Sequence, residues 1–445
     1  MIISPPKNSL LLIIALKFFA FIAAHAGAEE QPNIVLIMAD DMGYECLRAN
    51  GGTDYQTPNL DKLAGRAVRF TNGHATPICT PSRVQIMSGL YNSRNYTEFG
   101  HMDPKITTFG NILQDAGYAT CVVGKWQLQG GYKSPQSGGF KGPNKFGFDE
   151  YCLWQVTRTS KDKPNRYANP GLEINGREVD FKNGEYGPDI VNKYACDFVK
   201  RQAKANKSFL LYYPMILPHW PFEPTPDSKT WDPDYRRDDA SEKLDRKKWS
   251  KENFVGMVAY ADKMVGNLLK TLEETGVREN TLVIFVGDNG TDRSITSTFE
   301  GKPYKGGKGK TIINGTHVPM IADWPGQAKG GTVCGDLIDF TDMLPTMLEA
   351  ARVSLPAELE SDGRSFLPQV KGEKGKPRDW IYCYFDPGKK EFAMTKRYKL
   401  YKSGRFFDLT RDPAEKSPIK PEERRDDQKE IAEELERVIV EHTRK

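Results

Sequence analysis

The sequence predicts an α/β protein: a large, mostly parallel sheet sandwiched by helices, followed by a smaller C-terminal α+β unit of antiparallel sheet and one helix. Three observations carry that prediction. Four apolar strands alternate with helical stretches between residues 33 and 290, and each leads into a chemically useful group: Asp40-Asp41, Lys125, His219 and Asp288-Asn289. In an open sheet the carboxyl ends of parallel strands share one edge, so groups far apart in the chain can converge there. From about residue 360 the pattern changes to short strands and a charged helix. With 445 residues the chain can bury a large core, and we divide it into residues 1–28, 29–358 and 359–445.

Residues 1–28 read as a secretory signal peptide. Lys7 precedes an apolar run from Leu10 to Ala24 interrupted by Lys17, and small residues end it at Ala26-Gly27-Ala28. The run falls short of the roughly 20 residues that span a bilayer. The whole chain carries a formal charge of +4, and removing Lys7 and Lys17 leaves 61 basic against 59 acidic residues. That balance, with no dense basic block, excludes nucleic acid as the expected partner and makes any anion recognition local. The seven cysteines lack the paired spacing of a zinc site or a dense disulfide scaffold.

The elements follow in order. Asn33 to Met38 is a continuous apolar run, as expected of a strand covered on both faces. Thr57-Pro58 opens a helix with Leu60, Leu63, Ala64 and Ala67 on one side. Thr76 to Leu90 contains the next helix, with Thr80 as cap, Pro81 at the first helical position, Cys79 beside the free N–H groups and Arg83 one turn on. Taken alone, Cys79 is as readily a small buried residue as a reactive thiol. Thr108 to Ala116 is helical and Tyr118 to Val123 is a strand, followed by Gly124-Lys125-Trp126-Gln127. Residues 128–187 show little periodicity and are expected to be long surface loops.

Helix Pro188 to Lys204, strand Ser208 to Tyr213, a long helix from about Lys251 to Thr275 and strand Thr281 to Val286 continue the alternation. Tyr304 to Pro319 is a Gly- and Lys-rich loop that sets Lys308 in a flexible position, ahead of strand Val318 to Asp323 and helix Leu337 to Ala350. Beyond residue 360, strands at 380–385, 391–395 and 399–403 precede a helix from Pro421 whose apolar stripe is Ile431, Leu435 and Val438.

Asp40, Asp41, Asp288 and Asn289 supply hard oxygen donors without sulfur or imidazole, which favours calcium or magnesium over zinc. A single Asp at such a place is more often a cap or turn former; two acid-bearing strand ends of the same kind point to a cation.

Cys79-Thr80-Pro81-Ser82-Arg83 resembles the Cys-x-Pro-Ser-Arg signature of type I sulfatases, whose cysteine is oxidised to formylglycine. Asp40-Asp41, Gly124-Lys125-Trp126, Leu217-Pro218-His219-Trp220-Pro221-Phe222, Gly287-Asp288-Asn289-Gly290 and the Gly-Gly-Lys-Gly loop at 306–309 resemble further sulfatase motifs in the family's order, over roughly residues 31–413. The resemblance implies an alkaline phosphatase-like fold and hydrolysis of sulfate monoesters with a formylglycine hydrate at position 79 as nucleophile. It also implies one calcium ion bound by Asp40, Asp41, Asp288, Asn289 and modified Cys79. Arg83, Lys125, His219 and Lys308 would hold the sulfate and the bridging oxygen, with His219 and Lys308 the candidate donors to the leaving group.

The implied partners are a sulfated carbohydrate or aryl sulfate and a formylglycine-generating or sulfatase-maturing enzyme, in a periplasmic or secreted setting. Trp154, Arg158, Arg166, Tyr167, Trp231, Tyr235 and Arg236 offer stacking faces and cations suited to a sulfated sugar. The chain departs from the family at Gln127, where a histidine is usual. Glutamine can hydrogen-bond to the nucleophile but cannot take its proton, so that role passes to Asp288 or another histidine; His74, His101 and His317 lie near motif segments. His317 stands where the family often has arginine. Two rivals remain: a phosphate or phosphonate ester hydrolase of the same superfamily, and a silent anion- or glycan-binding protein in which Cys79 stays a thiol.

Overall fold

In the computed structural model the apolar run at the start of the chain becomes β1 (Asn33–Ala39), near the centre of a ten-stranded sheet. The structure describes residues 31–130, 142–158, 164–234, 246–328, 330–385 and 390–443; the signal-peptide expectation, Tyr235 and Arg236 lie outside them. The run is uninterrupted because both faces of the strand are covered. Val35, Ile37 and Ala39 enter one core, beneath helices Pro58–Arg66, Gly187–Lys204 and Arg246–Glu274. Ile34, Leu36 and Met38 enter the other, beneath helices Cys79–Ser88, Phe109–Asp115 and Met343–Ala351.

The remaining strands of this sheet are β2 (Val68–His74), β3 (Ala119–Lys125), β4 (Glu150–Trp154), β5 (Gly171–Ile174), β6 (Arg177–Asp180), β7 (Phe209–Pro214), β8 (Thr281–Gly287), β11 (Met320–Asp323) and β12 (Thr332–Asp339). Their spatial order is β12-β2-β11-β8-β1-β7-β3-β4-β5-β6. β8, β1, β7, β3 and β4 are mutually parallel, while β11 runs antiparallel to both of its neighbours. β9 (Thr296–Phe299) and β10 (Lys302–Lys305) make a separate hairpin.

Two sequence expectations are corrected, and one strand is added. Residues 128–187 are not all loop: β4 extends the parallel block, and the β5–β6 hairpin continues the sheet on β4. Leu337-Ile338-Asp339 do not open a helix but end β12, paired in parallel with β2. There the Asp339 side chain caps a short turn, so the helix starts only at Met343. β2 itself, VRFTNGH, went unread because polar residues alternate with its buried Val68 and Phe70.

The C-terminal unit is a four-stranded antiparallel sheet of β13 (Ile381–Cys383), β14 (Phe392–Met394), β15 (Tyr398–Tyr401) and β16 (Phe406–Asp408), in that order. Helix Asp426–His442 covers one face through Ala432, Leu435, Val438 and Ile439. The other face packs Ile381, Cys383, Phe392 and Met394 against Leu337 and Ile313 of the larger part.

Candidate active site

The carboxyl ends of β1, β7 and β8 are locked together beyond the strands themselves. Met215 N–H donates to the Met38 carbonyl at 2.8 Å, Asp40 N–H to Leu217 at 2.9 Å and Asp288 N–H to Ala39 at 2.8 Å. Asp41, with φ +64°, turns its amide onto Asp288 Oδ1 at 2.9 Å, and Asn289 Nδ2 donates to Asp41 Oδ1 at 2.9 Å. All four of these side chains are buried.

β2 reaches the same edge and delivers the Cys79 helix. The helix begins at Cys79 itself, with Ile78 as its N-cap residue. Thr80 is therefore inside the helix and accepts from Gly100 N–H at 3.1 Å instead of capping. Ser82 ties the first turn back through its hydroxyl to the carbonyls of Thr76 and Ile78, at 3.0 and 3.1 Å.

Arg83 lies fully inside and donates to the Lys125 carbonyl at 2.8 Å and to Asp288 Oδ2 at 3.3 Å, with Asp40 Oδ1 3.9 Å away. Lys125 Nζ meets Asp40 Oδ2 at 2.7 Å. Lys308 Nζ meets Asp41 Oδ2 at 2.6 Å and His219 Nε2 at 3.0 Å. The Lys308 side chain is only 16% exposed and its backbone N–H is bonded to Thr291, so the expected flexible loop is a fixed one. Gln127, at φ +55°, sets Oε1 3.5 Å from Cys79 Sγ. The structure thus brings together Asp40, Asp41, Cys79, Arg83, Lys125, Gln127, His219, Asp288, Asn289 and Lys308.

The electrostatics are those of crowded carboxylates facing cations. Burial opposes ionisation of Asp40, yet Lys125 first, with Arg83 and Lys308, outweighs it and holds the carboxyl below its usual range. Burial pushes Asp41 up, Lys308 being the main offset, and burial with the Asp40 charge pushes Asp288 well up. Burial also raises the Cys79 thiol, against Lys125 and Lys308. His219 is driven well below the ordinary histidine range by burial and then by Lys308, so it is neutral here. Burial lowers Lys308, but Asp41 more than compensates and the amine keeps its proton.

Carboxylates so placed fit a cation. Asp40 Oδ1 and Asn289 Oδ1 are buried without a hydrogen-bond partner among the described residues, two hard oxygens left unsatisfied in one cluster. One oxygen each from Asp40 and Asp41 and a ring nitrogen of His219 lie within 4.8 Å of one another. The Asp288 oxygens face the Asp41 amide and Arg83.

Other expected groups are placed differently. His317 stacks on Tyr44 at 3.9 Å and bonds to the Thr71 carbonyl, with His74 stacked beyond it. His101 pairs with Gln129 and follows Gly100, whose N–H donates to Thr80 of the Cys79 helix. Trp154 and Tyr167 belong to the core, and Arg158 pairs with Glu178 and Asp180. Arg166, read only as a loop cation, instead lies against His219, with Nη1 2.7 Å from Nδ1. Sequence reasoning missed Glu45, whose buried carboxyl accepts from Thr291 at 2.6 Å, stands near pH 6 through burial, and braces the loop after Asp41 to the loop after Asn289. It also missed Gln155, at φ +59° with an unpartnered buried Oε1, beside Gln127 at the end of β4. No spacing signal marks either. All seven cysteines are free thiols.

The pattern of the Sulfatase family matches residues 32–353, more than half of the chain. The chain belongs to the sulfatase family. It is a sulfuric ester hydrolase, and a second pattern, that of the N-sulphoglucosamine sulphohydrolase C-terminal region, matches residues 312–445. This sulfatase is 30% identical over 386 residues to N-acetylgalactosamine-6-sulfatase of Canis lupus familiaris, covering 80% of this chain and 69% of the relative. With an arylsulfatase of Clostridium perfringens it shares 27% over 449 residues, covering 86% and 89%. The structure of BT4656 in complex with its substrate D-glucosamine-2-N,6-O-disulfate superposes with a TM-score of 0.73 at 22% identity, covering 93% of this chain and 98% of the other. The phosphonate monoester hydrolase of Agrobacterium radiobacter does so at 0.67 and 19%, covering 92% and 96%. Both show the same fold.

Proposed function

We propose that this sulfatase desulfates carbohydrate outside the cytoplasm, using formylglycine at position 79 and one calcium ion held by Asp40, Asp41, Asp288, Asn289 and the modified side chain. The observation that carries the reading is the pair of unpartnered oxygens, Asp40 Oδ1 and Asn289 Oδ1, in a buried carboxylate cluster beside Cys79. Oxygen-only donors suit a hard cation. When present, the aldehyde hydrate supplies a nucleophilic oxygen and the cation supplies charge neutralisation.

The chain's own residues divide the remaining work. Lys125 and Lys308, the two cations whose charge acts on Cys79, would neutralise a sulfate bound beside it. Arg83, turned to Asp288 and the Lys125 carbonyl, keeps the carboxylates in register. Neutral His219 offers a hydrogen bond to the ester oxygen, while Lys308 Nζ holds the available proton. Gln127 orients the group at position 79 without taking its proton. Trp220, next to His219 and 42% exposed, presents an aromatic face of the kind sugars stack on.

A sulfated sugar is supported by the relative named for N-acetylgalactosamine-6-sulfate and by the disulfate complex of the fold neighbour. Export is supported by the apolar leader, and no helix among the described residues is long and apolar enough to cross a membrane. The test is the mass of the peptide containing residue 79 from protein made with a formylglycine-generating enzyme, together with calcium content and turnover of aryl sulfate against aryl phosphate. Conversion of CH2–SH to CHO, about one calcium per chain and preference for sulfate are expected. An unmodified thiol in fully active protein would overturn the reading.

A further inference from the structure

We infer that Arg166 recognises a second anionic group of the substrate, so that this sulfatase selects saccharides carrying two acidic groups close together. The inference rests on the carbohydrate reading above. Arg166 is 6% exposed, with its guanidinium carbon 3.9 Å over the Trp154 ring and Nη1 2.7 Å from His219 Nδ1. Each of the other three cations of the site faces a carboxylate: Arg83 faces Asp288, Lys125 faces Asp40 and Lys308 faces Asp41. Among the described residues Arg166 has none. A nearly buried guanidinium without a counter-charge is costly, and an incoming anion removes that cost.

His219 does not resolve the shortage. Lys308 Nζ stands 3.0 Å from Nε2 and Arg166 stands at Nδ1, yet a neutral imidazole has a single acceptor nitrogen. The Trp220 carbonyl, also at Nδ1, competes to place the ring proton there. Lys308 has Asp41 Oδ2 as a second acceptor, so the shortage falls on Arg166, whose Nδ1 acceptor is contested by the Trp220 carbonyl. Among the described residues the Arg166 N–H groups not directed at His219 reach no acceptor, and none is sealed from solvent, so they are open to a ligand. The Trp154 ring lies against the guanidinium, whose fork matches the two oxygens of a carboxylate or sulfate. Since only the imidazole separates Lys308 Nζ from Arg166 Nη1, the two anion-binding points are no more than roughly 8 Å apart. Two substituents of one sugar, or of adjoining sugars, span that gap.

The experiment compares kcat/KM of wild type, Arg166→Gln and Arg166→Lys on matched saccharides. One member of each pair has a single sulfate; the other has in addition a second sulfate or a neighbouring uronate carboxylate, and these two arms identify the second charge. Wild type is expected to favour the doubly charged member at least about tenfold, with a preference that shrinks as salt rises. Arg166→Gln is expected to bring the ratio to about one, chiefly through KM, while Arg166→Lys keeps part of it. The ratio is the readout because losing the His219 contact lowers turnover of both members. Equal rates on both members by wild type, or a ratio unchanged in Arg166→Gln, would overturn the inference. Wild-type turnover of 4-nitrophenyl sulfate without turnover of any saccharide would instead sink the carbohydrate reading beneath it.

Discussion

Gln127 takes a left-handed backbone, φ +55°, that few side chains adopt, and thereby presents its carboxamide 3.5 Å from Cys79. A carboxamide orients but does not titrate, so Gln127→Ala should slow turnover about tenfold and leave metal content unchanged. Steady-state rates with calcium analysis check this; an unaltered rate would show the side chain to be idle. Cys79→Ser places one hydroxyl where the proposed chemistry needs two. One covalently bound sulfate per chain is expected, detected by intact mass after incubation with aryl sulfate, and sustained turnover would refute the scheme.

His317 supplies a pH prediction. Burial lowers it to about 4, and burial, then His317, lowers the neighbouring His74 well below its usual value. Both are neutral in the fold, whereas in the unfolded chain they take up protons near pH 6.5. Their contribution to stability is therefore complete above about pH 6.5 and is lost as pH falls toward 4. His317→Gln, which keeps a donor for the Thr71 carbonyl, should flatten the fall in melting temperature across that window.

At the scale of elements, strands converge because their glycines let neighbouring backbones approach. Gly124, at φ +116°, is the penultimate residue of β3, where a Cβ would come within 2.0 Å of the Pro214 carbonyl oxygen of β7. Gly124→Ala should cost at least about 2 kcal/mol, read from urea unfolding, because both strain and overlap oppose it. Gly290 meets the same limit, 1.9 Å from the Asn314 carbonyl oxygen, where the loop after β8 lies against the segment that follows Lys308. The motif glycines are thus the geometric condition for bringing Lys125 and Lys308 to the carboxylates.

At the scale of the molecule, the C-terminal sheet is fastened beside the active edge by buried charge. Arg378 bonds to both oxygens of Asp342, to Tyr91 and to Thr341, and its pKa stays well above normal because Asp342 outweighs the burial that would lower it. Arg378→Met leaves Asp342 buried and unpaired, a loss of about 3–5 kcal/mol expected in equilibrium unfolding. Lys399 of β15 reaches the Thr311 carbonyl and Glu415 from within the small sheet, so the C-terminal unit also supports the loop that carries Lys308.

The alternation of covered strands and helices, the small antiparallel unit and the main residues of the site can all be read from the chain's own residues. These are legible because burial on both faces leaves continuous apolar runs, and because motif residues sit at strand ends whose edge is set by parallel topology. β2 and β12 were not legible, since half-covered strands near an edge carry mixed residues. Folding in three dimensions is what turns Arg83 to the carboxylates, sets a neutral His219 between Lys308 and Arg166, and stacks His317 with Tyr44 and His74. Those outcomes depend on distances between side chains brought in from different strands and loops, and electrostatic energy in a buried site is a property of those distances, which no local pattern encodes.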